Sequence, residues 1–330
     1  MNEAEKLKTQ IFTIKNQHDF YEIALQVFRF QAKHNPIYKE FLFHLNFNVE
    51  KVKKITDIPF LPIEFFKTHK IVSSSDKEEI VFSSSGTSGM QTSNHYILDI
   101  SLYEKSFLRT FQQFYGSPTD YVIIGLLPSY LERGGSSLVY MVNKLIRESK
   151  QEESGFYLHD YDTLAQKINA LNSAKRKVML IGVSYALLDL LEKHPFSLNN
   201  TIVLETGGMK GRRKEMIKSA LHDELKKGFG VQEIHSEYGM TELLSQAYSS
   251  KNEKFICPSW MNIVIRDPYD PFSILPTEKT GGINVIDLAN IYSCSFIETK
   301  DLGKKHSDNS FEILGRFDNS DIRGCNLMVN

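Results

Sequence analysis

The sequence is poor in the features that several classes of protein require. Its 330 residues contain three cysteines, which are too few and too scattered for a disulfide framework or a cysteine-rich zinc site. The net charge is −1, so no excess of positive charge favours a nucleic-acid partner. No apolar run approaches the length of a membrane span, and the polar N-terminus lacks the apolar core of a signal peptide. We therefore expect a reducing, cytoplasmic setting.

The remaining composition is that of a globular protein with a large core. Hydrophobic residues make up 41% of the chain and charged residues 24%. The 22 phenylalanines and 15 tyrosines are sufficient for a sizeable core and for a roomy apolar pocket. The length predicts about two domains, or one large α/β domain with an appendage.

The middle of the chain alternates between strand-like and helix-like segments. Strands are predicted over 121–127, 155–158, 177–181, 201–204 and 231–235, and helices over 99–115, 136–148, 162–171, 184–192 and 211–227. Strands that alternate with helices of this length indicate βαβ units and a parallel sheet. The predicted fold class is therefore α/β, with parallel sheets flanked by helices.

The two ends of the chain have a different texture. Residues 18–33 and 37–45 show helical spacing of apolar residues, whereas short strands and turns follow from about Cys257. We divide the chain into a helical N-terminal segment, an α/β nucleotide-binding core, a β-rich subdomain of that core and a short tail; the predicted boundaries are 1–75, 76–255, 256–315 and 316–330.

The most informative stretch is a loop built only of serine, threonine and glycine, Ser83–Gly89, which we call the serine–glycine loop. The strand-like runs 80–82 and 95–98 flank it. Glycine permits close backbone approach, and consecutive N–H groups can form an anion-binding concavity that suits the phosphates of a nucleotide. A flexible linker has a similar composition. The loop is not a Walker A motif, because Met90 and Gln91 stand where that motif has Lys and Ser or Thr.

Other polar segments follow predicted strands of the same sheet: 182–184, 206–208 and 236–239. Ligands on parallel sheets bind at the carboxyl ends of the strands, so we expect these segments and the serine–glycine loop to share one site. Within 236–242, which we predict to follow a strand and open a helix, Tyr238 can stack on a base, Thr241 can bond phosphate and Glu242 can hold a divalent cation. The alternative is a tight turn followed by a helix that Thr241 caps.

Four motifs together resemble the adenylate-forming superfamily, which includes acyl-CoA synthetases, adenylation domains and luciferase. In chain order they are Ser84-Ser85-Gly86-Thr87-Ser88-Gly89, Tyr238-Gly239-Met240-Thr241-Glu242, Thr299-Lys300-Asp301-Leu302-Gly303 and Gly315-Arg316-Phe317-Asp318. Each motif alone is weak, whereas four in the family's order are specific. The resemblance implies an adenylate-forming N-terminal core that binds ATP and Mg²⁺.

The resemblance also implies a role for each matched residue. The serine–glycine loop would surround the pyrophosphate, with Thr87 taking part in catalysis. Tyr238 would lie on adenine, and Gly239 and Thr241 beside it would also contact the nucleotide. Glu242 would be catalytic and hold magnesium. The remaining nucleotide-binding residues would be Gly207 and Gly208 beside adenine, and Asp301 and Arg316 on the ribose hydroxyls. These residue types suit the roles, because a carboxylate accepts from both sugar hydroxyls and a guanidinium donates in a fixed fork.

Two departures from the superfamily point to one of its subfamilies. No lysine follows Gly89, and the chain ends soon after Arg316, where the family normally has a mobile lid with a catalytic lysine. Lys210 is a candidate replacement. The acyl-protein synthetases of the bacterial luminescence fatty-acid reductase complex (LuxE-type) are similarly short, and they carry the acyl group on a cysteine near the C-terminus. Cys325 matches that placement, and Arg323 would favour its thiolate.

The resemblance implies an AMP-forming acid–thiol ligase that activates a fatty or other carboxylic acid and passes it through Cys325 to a reductase or another acyl-carrier partner. A structural role as a small buried residue remains open for Cys325. A phenylacetate-CoA-ligase-like acyl-CoA synthetase is the nearest alternative. From other classes, Ser184 in Gly-Val-Ser-Tyr-Ala resembles a serine hydrolase elbow, with Asp223 and His235 later in the chain. A non-catalytic nucleotide-binding or partner-binding protein is the last alternative.

Overall fold

The computed structural model describes residues 3–84, 91–128, 134–158, 160–207, 212–214 and 216–317. The helices in these ranges are α1 (Glu3–Ile11), α2 (Gln17–His34), α3 (Pro36–His44), α4 (Phe65–Thr68), α5 (Ile100–Tyr115), α6 (Ser137–Ser149), α7 (Tyr161–Ser173), α8 (Ser184–Lys193) and α9 (Lys218–Phe229). None of the helices in the described ranges combines the length and the hydrophobicity needed to cross a bilayer.

The strands form two large sheets and one hairpin. They are β1 (Leu61–Pro62), β2 (Ile80–Ser83), β3 (Asn94–Ile97), β4 (Val122–Leu126), β5 (Gly155–Tyr157), β6 (Val178–Val183), β7 (Thr201–Thr206), β8 (His235–Tyr238), β9 (Ala247–Ser249), β10 (Met261–Arg266), β11 (Ile274–Leu275), β12 (Thr280–Asp287), β13 (Phe296–Lys305) and β14 (Phe311–Arg316).

The first sheet, which we call the parallel sheet, has the strand order β5-β4-β6-β7-β8-β9. Its first five strands are parallel, and β9 is antiparallel to β8. Every residue of β4 and β6 is buried, as expected for central strands of a sheet that helices cover on both faces. The predicted α/β class with a parallel sheet is confirmed.

The second sheet, which we call the distal sheet, has the order β1-β13-β12-β10-β11, with β14 also paired to β13. Its strands β10 to β14 are antiparallel, whereas the short β1 runs parallel to β13. These antiparallel strands fall in the region where the sequence predicts short strands and turns. The domain boundaries themselves remain a prediction.

The N-terminal helices pack against the distal sheet. The buried Gln31 side chain of α2 donates to the carbonyls of Asn290 and Ile291, and its amide oxygen accepts from the Ser295 N–H. The Asn35 side chain likewise donates to the Ser293 carbonyl at 3.0 Å. The helices therefore form part of one core with strands that lie far away in the sequence.

The serine–glycine loop does not follow a strand of the parallel sheet, contrary to expectation. It joins β2 to β3, a separate antiparallel hairpin with Ile80 opposite Ile97 and Ser83 opposite Asn94. The physical reason is the short connection, because parallel neighbours need a crossover of a dozen or more residues. Phe82 fixes the hairpin on the core by packing edge-on against Tyr103.

Two predicted elements have the wrong bounds. The helix expected over 211–227 begins only at Lys218, because Arg213 forms ion pairs with Asp189 and Glu192 of α8 in a non-helical segment. The strand expected over 231–235 begins at His235 instead. Gly230 ends α9 in the left-handed conformation. Residues 231–234 then lead the chain back to the sheet, so they do not belong to the strand.

Candidate active site

Three of the residues predicted to bind the nucleotide lie together, Tyr238 and Arg316 at the ends of β8 and β14 and Asp301 in the middle of β13. Tyr238 donates its hydroxyl to Asp301 Oδ2 at 2.7 Å. Asp301 lies opposite Arg316 in the β13–β14 ladder, with 3.5 Å between Arg316 Nε and Asp301 Oδ1. The carboxylate is largely buried, whereas 74% of the guanidinium side chain is exposed. Burial raises the pKa of Asp301, and the tyrosine bond and Arg316 oppose that increase.

Glu242 lies next to the base of the serine–glycine loop. Its buried carboxylate accepts from the Ser93 hydroxyl, and burial raises its pKa while the charge of Arg316 opposes the increase. The Ser93 N–H donates to Ser84 Oγ at 2.9 Å, and the Ser84 N–H donates to the Ser93 carbonyl at 3.0 Å. The beginning of the loop and the 238–242 segment are thus adjacent, as a shared nucleotide site requires.

Several predicted site residues fall outside the described residues. They are Ser85, Gly86, Thr87, Ser88, Gly89, Gly208, the candidate lid replacement Lys210 and the candidate acceptor Cys325. Their roles stay predictions.

Gly207 and Gly239 are the predicted site glycines that the structure describes, and both occupy positions that disfavour a side chain. Gly207 follows β7 with φ +76°, a left-handed conformation that disfavours other residues. A Cβ at Gly239 would collide with the carboxylate of Glu237. Both positions therefore keep the backbone close to the ends of β7 and β8.

The segment after Tyr238 does not open a helix, contrary to expectation. Tyr238 is itself the last residue of β8, and Thr241 and Glu242 lie in a turn. Asp287 of the distal sheet accepts from the backbone N–H groups of Leu244 and Ser245 at 2.7 and 2.9 Å. These bonds hold the segment after Glu242 against the distal sheet, and residues 239–246 contain no helix that Thr241 could cap.

Sequence reasoning missed two acidic residues at this edge of the parallel sheet. Glu237 accepts from Thr206 Oγ1 at 2.6 Å, and burial together with the charge of Glu205 raises its pKa to about 7. Burial alone would also raise the pKa of Glu205, but Lys218, His222 and the serine hydrogen bonds outweigh it and hold the pKa at about 2. A single glutamate at the end of an apolar strand is the signal that would have identified Glu205, whereas the polar strand β8 gives no such signal for Glu237.

The geometry contradicts the serine hydrolase alternative. Ser184 is completely buried and donates its hydroxyl to Glu205 Oε1 at 3.0 Å rather than to a histidine. The expected general base, His235, instead has Nδ1 3.2 Å from the Tyr115 hydroxyl. A nucleophilic serine must be accessible to substrate and hydrogen-bonded to its general base. Ser184 is buried and is not bonded to His235.

The donor set around Glu242 suits a magnesium ion that arrives with a nucleotide. Within the described ranges, no group of three or more His, Cys, Asp or Glu side chains could hold a metal by itself. Magnesium usually binds through one or two carboxylates plus substrate phosphates, and it prefers oxygen. A buried carboxylate with serine hydroxyls beside it provides such ligands.

Comparison with known proteins finds a family match for part of the chain. Residues 12–131 match the family model of acyl-protein synthetase, LuxE. The resemblance to LuxE-type proteins is thereby confirmed over that part of the chain. No curated protein sequence matches the chain significantly.

Solved structures share the adenylate-forming fold. An open conformation of 2-hydroxyisobutyryl-CoA ligase in complex with 2-HIB-AMP and CoA matches with a TM-score of 0.69 and 14% identity, over 93% of this chain and 72% of that chain. ATP-bound MatB from Rhodopseudomonas palustris matches with a TM-score of 0.54 and 19% identity, over 74% of this chain. The match spans 49% of MatB, so this LuxE-like chain corresponds to about half of that structure.

Proposed function

We propose that this chain activates a carboxylic acid with ATP, as an acyl-adenylate, and then transfers the acyl group to Cys325. One observation carries the proposal: the Tyr238–Asp301–Arg316 cluster and Glu242 lie together at the base of the serine–glycine loop. The family match over residues 12–131 and the ATP and acyl-adenylate named for the similar structures support it.

The residues at the site provide separate contacts for the parts of a nucleotide. Asp301 has acceptor capacity beyond the bond from Tyr238, because a carboxylate has about four lone-pair sites, and it would accept from the ribose hydroxyls. The exposed Arg316 guanidinium would donate to the same sugar. The Tyr238 ring is 7% exposed and packs edge-on against Phe255 and Phe311, so its main contribution is to hold Asp301.

In the first reaction, a carboxylate oxygen of the acid attacks the α-phosphorus of ATP. A new O–P bond forms, the bond from the α-phosphorus to the bridging oxygen breaks, and pyrophosphate leaves. Magnesium supplies charge neutralisation at the phosphates when it is bound. Glu242 would hold it, and backbone N–H groups of the serine–glycine loop would bind the pyrophosphate charge.

In the second reaction, the Cys325 thiolate attacks the acyl carbonyl carbon. A C–S bond forms, the bond to the AMP phosphate oxygen breaks, and AMP leaves. The acyl group would then pass from Cys325 to an acyl reductase or an acyl-carrier partner. These two reactions together make the chain an AMP-forming acid–thiol ligase. We propose a fatty acid as its substrate and the cytoplasm as its location.

The first reaction is tested by ATP–pyrophosphate exchange with a panel of carboxylic acids. Glu242→Ala should abolish acid-dependent exchange, because the variant loses the carboxylate proposed to hold the cation. Glu40→Ala is the matched control, since Glu40 is an exposed glutamate of α3 whose side chain is 67% accessible. Undiminished exchange in Glu242→Ala would contradict the proposed role.

The second reaction is tested by incubation with ATP and a radioactive fatty acid, followed by intact mass spectrometry. Cys325→Ser should retain pyrophosphate exchange but lose covalent labelling, whereas Cys257→Ser should keep both. Persistent labelling of Cys325→Ser would refute the acceptor assignment.

One observation favours a second candidate function, that of an acyl-CoA synthetase. The similar 2-hydroxyisobutyryl-CoA ligase is described in complex with CoA. Formation of a free CoA thioester without a mass increase on the protein would select this alternative.

A further inference from the structure

The backbone around Glu242 is held by two side chains from different parts of the chain. His95 of β3 has Nδ1 2.8 Å from the Thr241 carbonyl oxygen. Asn290, in a single turn of 3₁₀ helix between β12 and β13, donates its Nδ2 to the Glu242 carbonyl at 2.7 Å. These carbonyls lie on the two sides of the Glu242 α-carbon, so the pair of bonds fixes the backbone from which the carboxylate projects.

The two bonds determine the tautomer of His95 and the orientation of the Asn290 amide. A carbonyl only accepts, so the proton of the neutral His95 ring is on Nδ1, and Nε2 is a bare acceptor. Asn290 uses its NH₂ group on Glu242, so its Oδ1 is the second acceptor. Both of these atoms are buried without a protein hydrogen-bond partner. A buried acceptor left without a donor carries the full penalty of its desolvation, so both atoms favour a further partner.

The same two residues line one small cavity. Its volume is about 10 Å³, and the walls are otherwise formed mainly by apolar side chains, including Leu102 and Leu244. A volume of about 10–15 Å³ is the minimum that holds one water molecule, provided that the cavity offers polar partners. A water molecule has two O–H donors, one for His95 Nε2 and one for Asn290 Oδ1.

We propose that His95 and Asn290 are positioning residues for Glu242, joined to each other by one buried water molecule. The water donates to His95 Nε2 and to Asn290 Oδ1, and it closes a ring of hydrogen bonds through the Thr241–Glu242 backbone. This inference rests on the proposed function of Glu242 as the residue that holds magnesium.

The ring of hydrogen bonds connects Glu242 to the hairpin that carries the serine–glycine loop. His95 lies in β3, two residues after Ser93, whose hydroxyl bonds the Glu242 carboxylate. The backbone and the carboxylate of Glu242 are therefore both fixed relative to one hairpin. Burial lowers the pKa of His95 to about 4, and its ring packs edge-on against Phe66. The neutral ring keeps Nε2 as an acceptor at neutral pH.

The ring itself is tested without reference to catalysis. Nitrogen NMR of the wild-type protein should show the Nδ1–H tautomer for His95. A high-resolution crystal structure should show one ordered water within hydrogen-bond distance of His95 Nε2 and Asn290 Oδ1. An Nε2–H tautomer, or an empty cavity in a well-resolved map, would overturn the proposal.

The positioning role is tested by two variants that each retain one half of the imidazole. His95→Asn keeps an N–H donor near the position of Nδ1, whereas His95→Gln keeps a polar atom near Nε2 and loses the bond to Thr241. His69→Asn is the control, because His69 is exposed and its ring bonds the adjacent Thr68 side chain.

We expect His95→Gln to raise the magnesium concentration for half-maximal pyrophosphate exchange about tenfold, a typical cost of losing a group that orients a metal ligand. His95→Asn should shift it by less than about threefold. Equal shifts in both variants, in proportion to their loss of melting temperature, would indicate a purely structural role and refute the assignment. If the wild-type protein shows no exchange, the proposed function fails, while NMR and crystallography still decide the ring.

Discussion

Replacing Tyr238 with phenylalanine removes the hydroxyl that bonds the buried Asp301 carboxylate at 2.7 Å. The ring keeps its edge-on packing against Phe255 and Phe311, so the main loss is one charge-assisted hydrogen bond. A hydrogen bond to a charged group contributes about 1.5–3 kcal/mol, and we expect a loss of about 2 kcal/mol in the free energy of unfolding. With an unfolding entropy of about 2.1 cal/mol/K per residue, this corresponds to a decrease of about 3 °C in melting temperature.

The loss should depend on pH with a defined sign. Burial already raises the pKa of Asp301, and removal of the tyrosine donor should raise it further. A carboxyl whose folded pKa exceeds its unfolded pKa loses stability as pH rises through the interval between the two values. The difference between wild type and Tyr238→Phe should therefore be smaller at pH 5 than at pH 7, because a lower pH favours the protonated, uncharged carboxyl.

Thermal and urea unfolding at the two pH values measure this difference. Tyr269→Phe is the control, because the Tyr269 side chain is 70% exposed, and it should change stability by less than about 0.5 kcal/mol. A Tyr238→Phe variant that is as stable as wild type at pH 7, or that is destabilised equally at both pH values, would refute the reasoning.

Two further predictions concern the acidic residues of the parallel sheet. The pKa of Glu237 is raised to about 7, so wild-type stability should fall by about 3 kcal/mol as pH rises from about 4.5 to 7. Glu237→Gln should remove that slope and unfold at higher urea than wild type near pH 8, and an unchanged slope would contradict the assignment. Ser184→Ala should destabilise by about 1–2 kcal/mol, because Glu205 loses a buried donor, while pyrophosphate exchange persists. Loss of an ATP-independent esterase activity in Ser184→Ala would instead restore the hydrolase alternative.

Elements with local signals were predictable from the sequence. Helix α5 has Asp99 as its N-cap, accepting from the Ser101 N–H, and Gly116 after its last residue, and both bounds were predicted. The alternation of apolar strands with amphipathic helices likewise predicted most of the parallel sheet. In these cases, the residues that decide the structure are close together in the sequence.

Elements decided by distant contacts were not predictable in the same way. The turn at Thr241 and Glu242 depends on side chains of β3, Asp287 and Asn290, which lie far from it in the sequence. The start of α9 likewise depends on ion pairs between Arg213 and α8. Local propensity does not contain these contacts, so the sequence suggested helices that tertiary structure prevents.

The candidate site also contains residues that the sequence predicts and residues that only the structure reveals. Motif spacing placed Tyr238, Asp301 and Arg316 together correctly, although nearly 80 residues separate the first from the last. The supporting residues His95 and Asn290 belong to no motif, and only the three-dimensional arrangement reveals that they hold the Glu242 backbone.

The docking of the N-terminal helices on the distal sheet has a consequence for synthesis on the ribosome. Gln31 and Ser295 are bonded across 264 positions of sequence, and β1 pairs with β13. At about 5–20 residues per second, the apolar face of α2 waits about 13–53 s before the surface that covers it has been translated. Throughout that interval, the nascent chain exposes the side chains of Phe20, Val27 and Phe28, which are buried in the finished protein. Nascent α2 is consequently a segment whose apolar face a chaperone would protect.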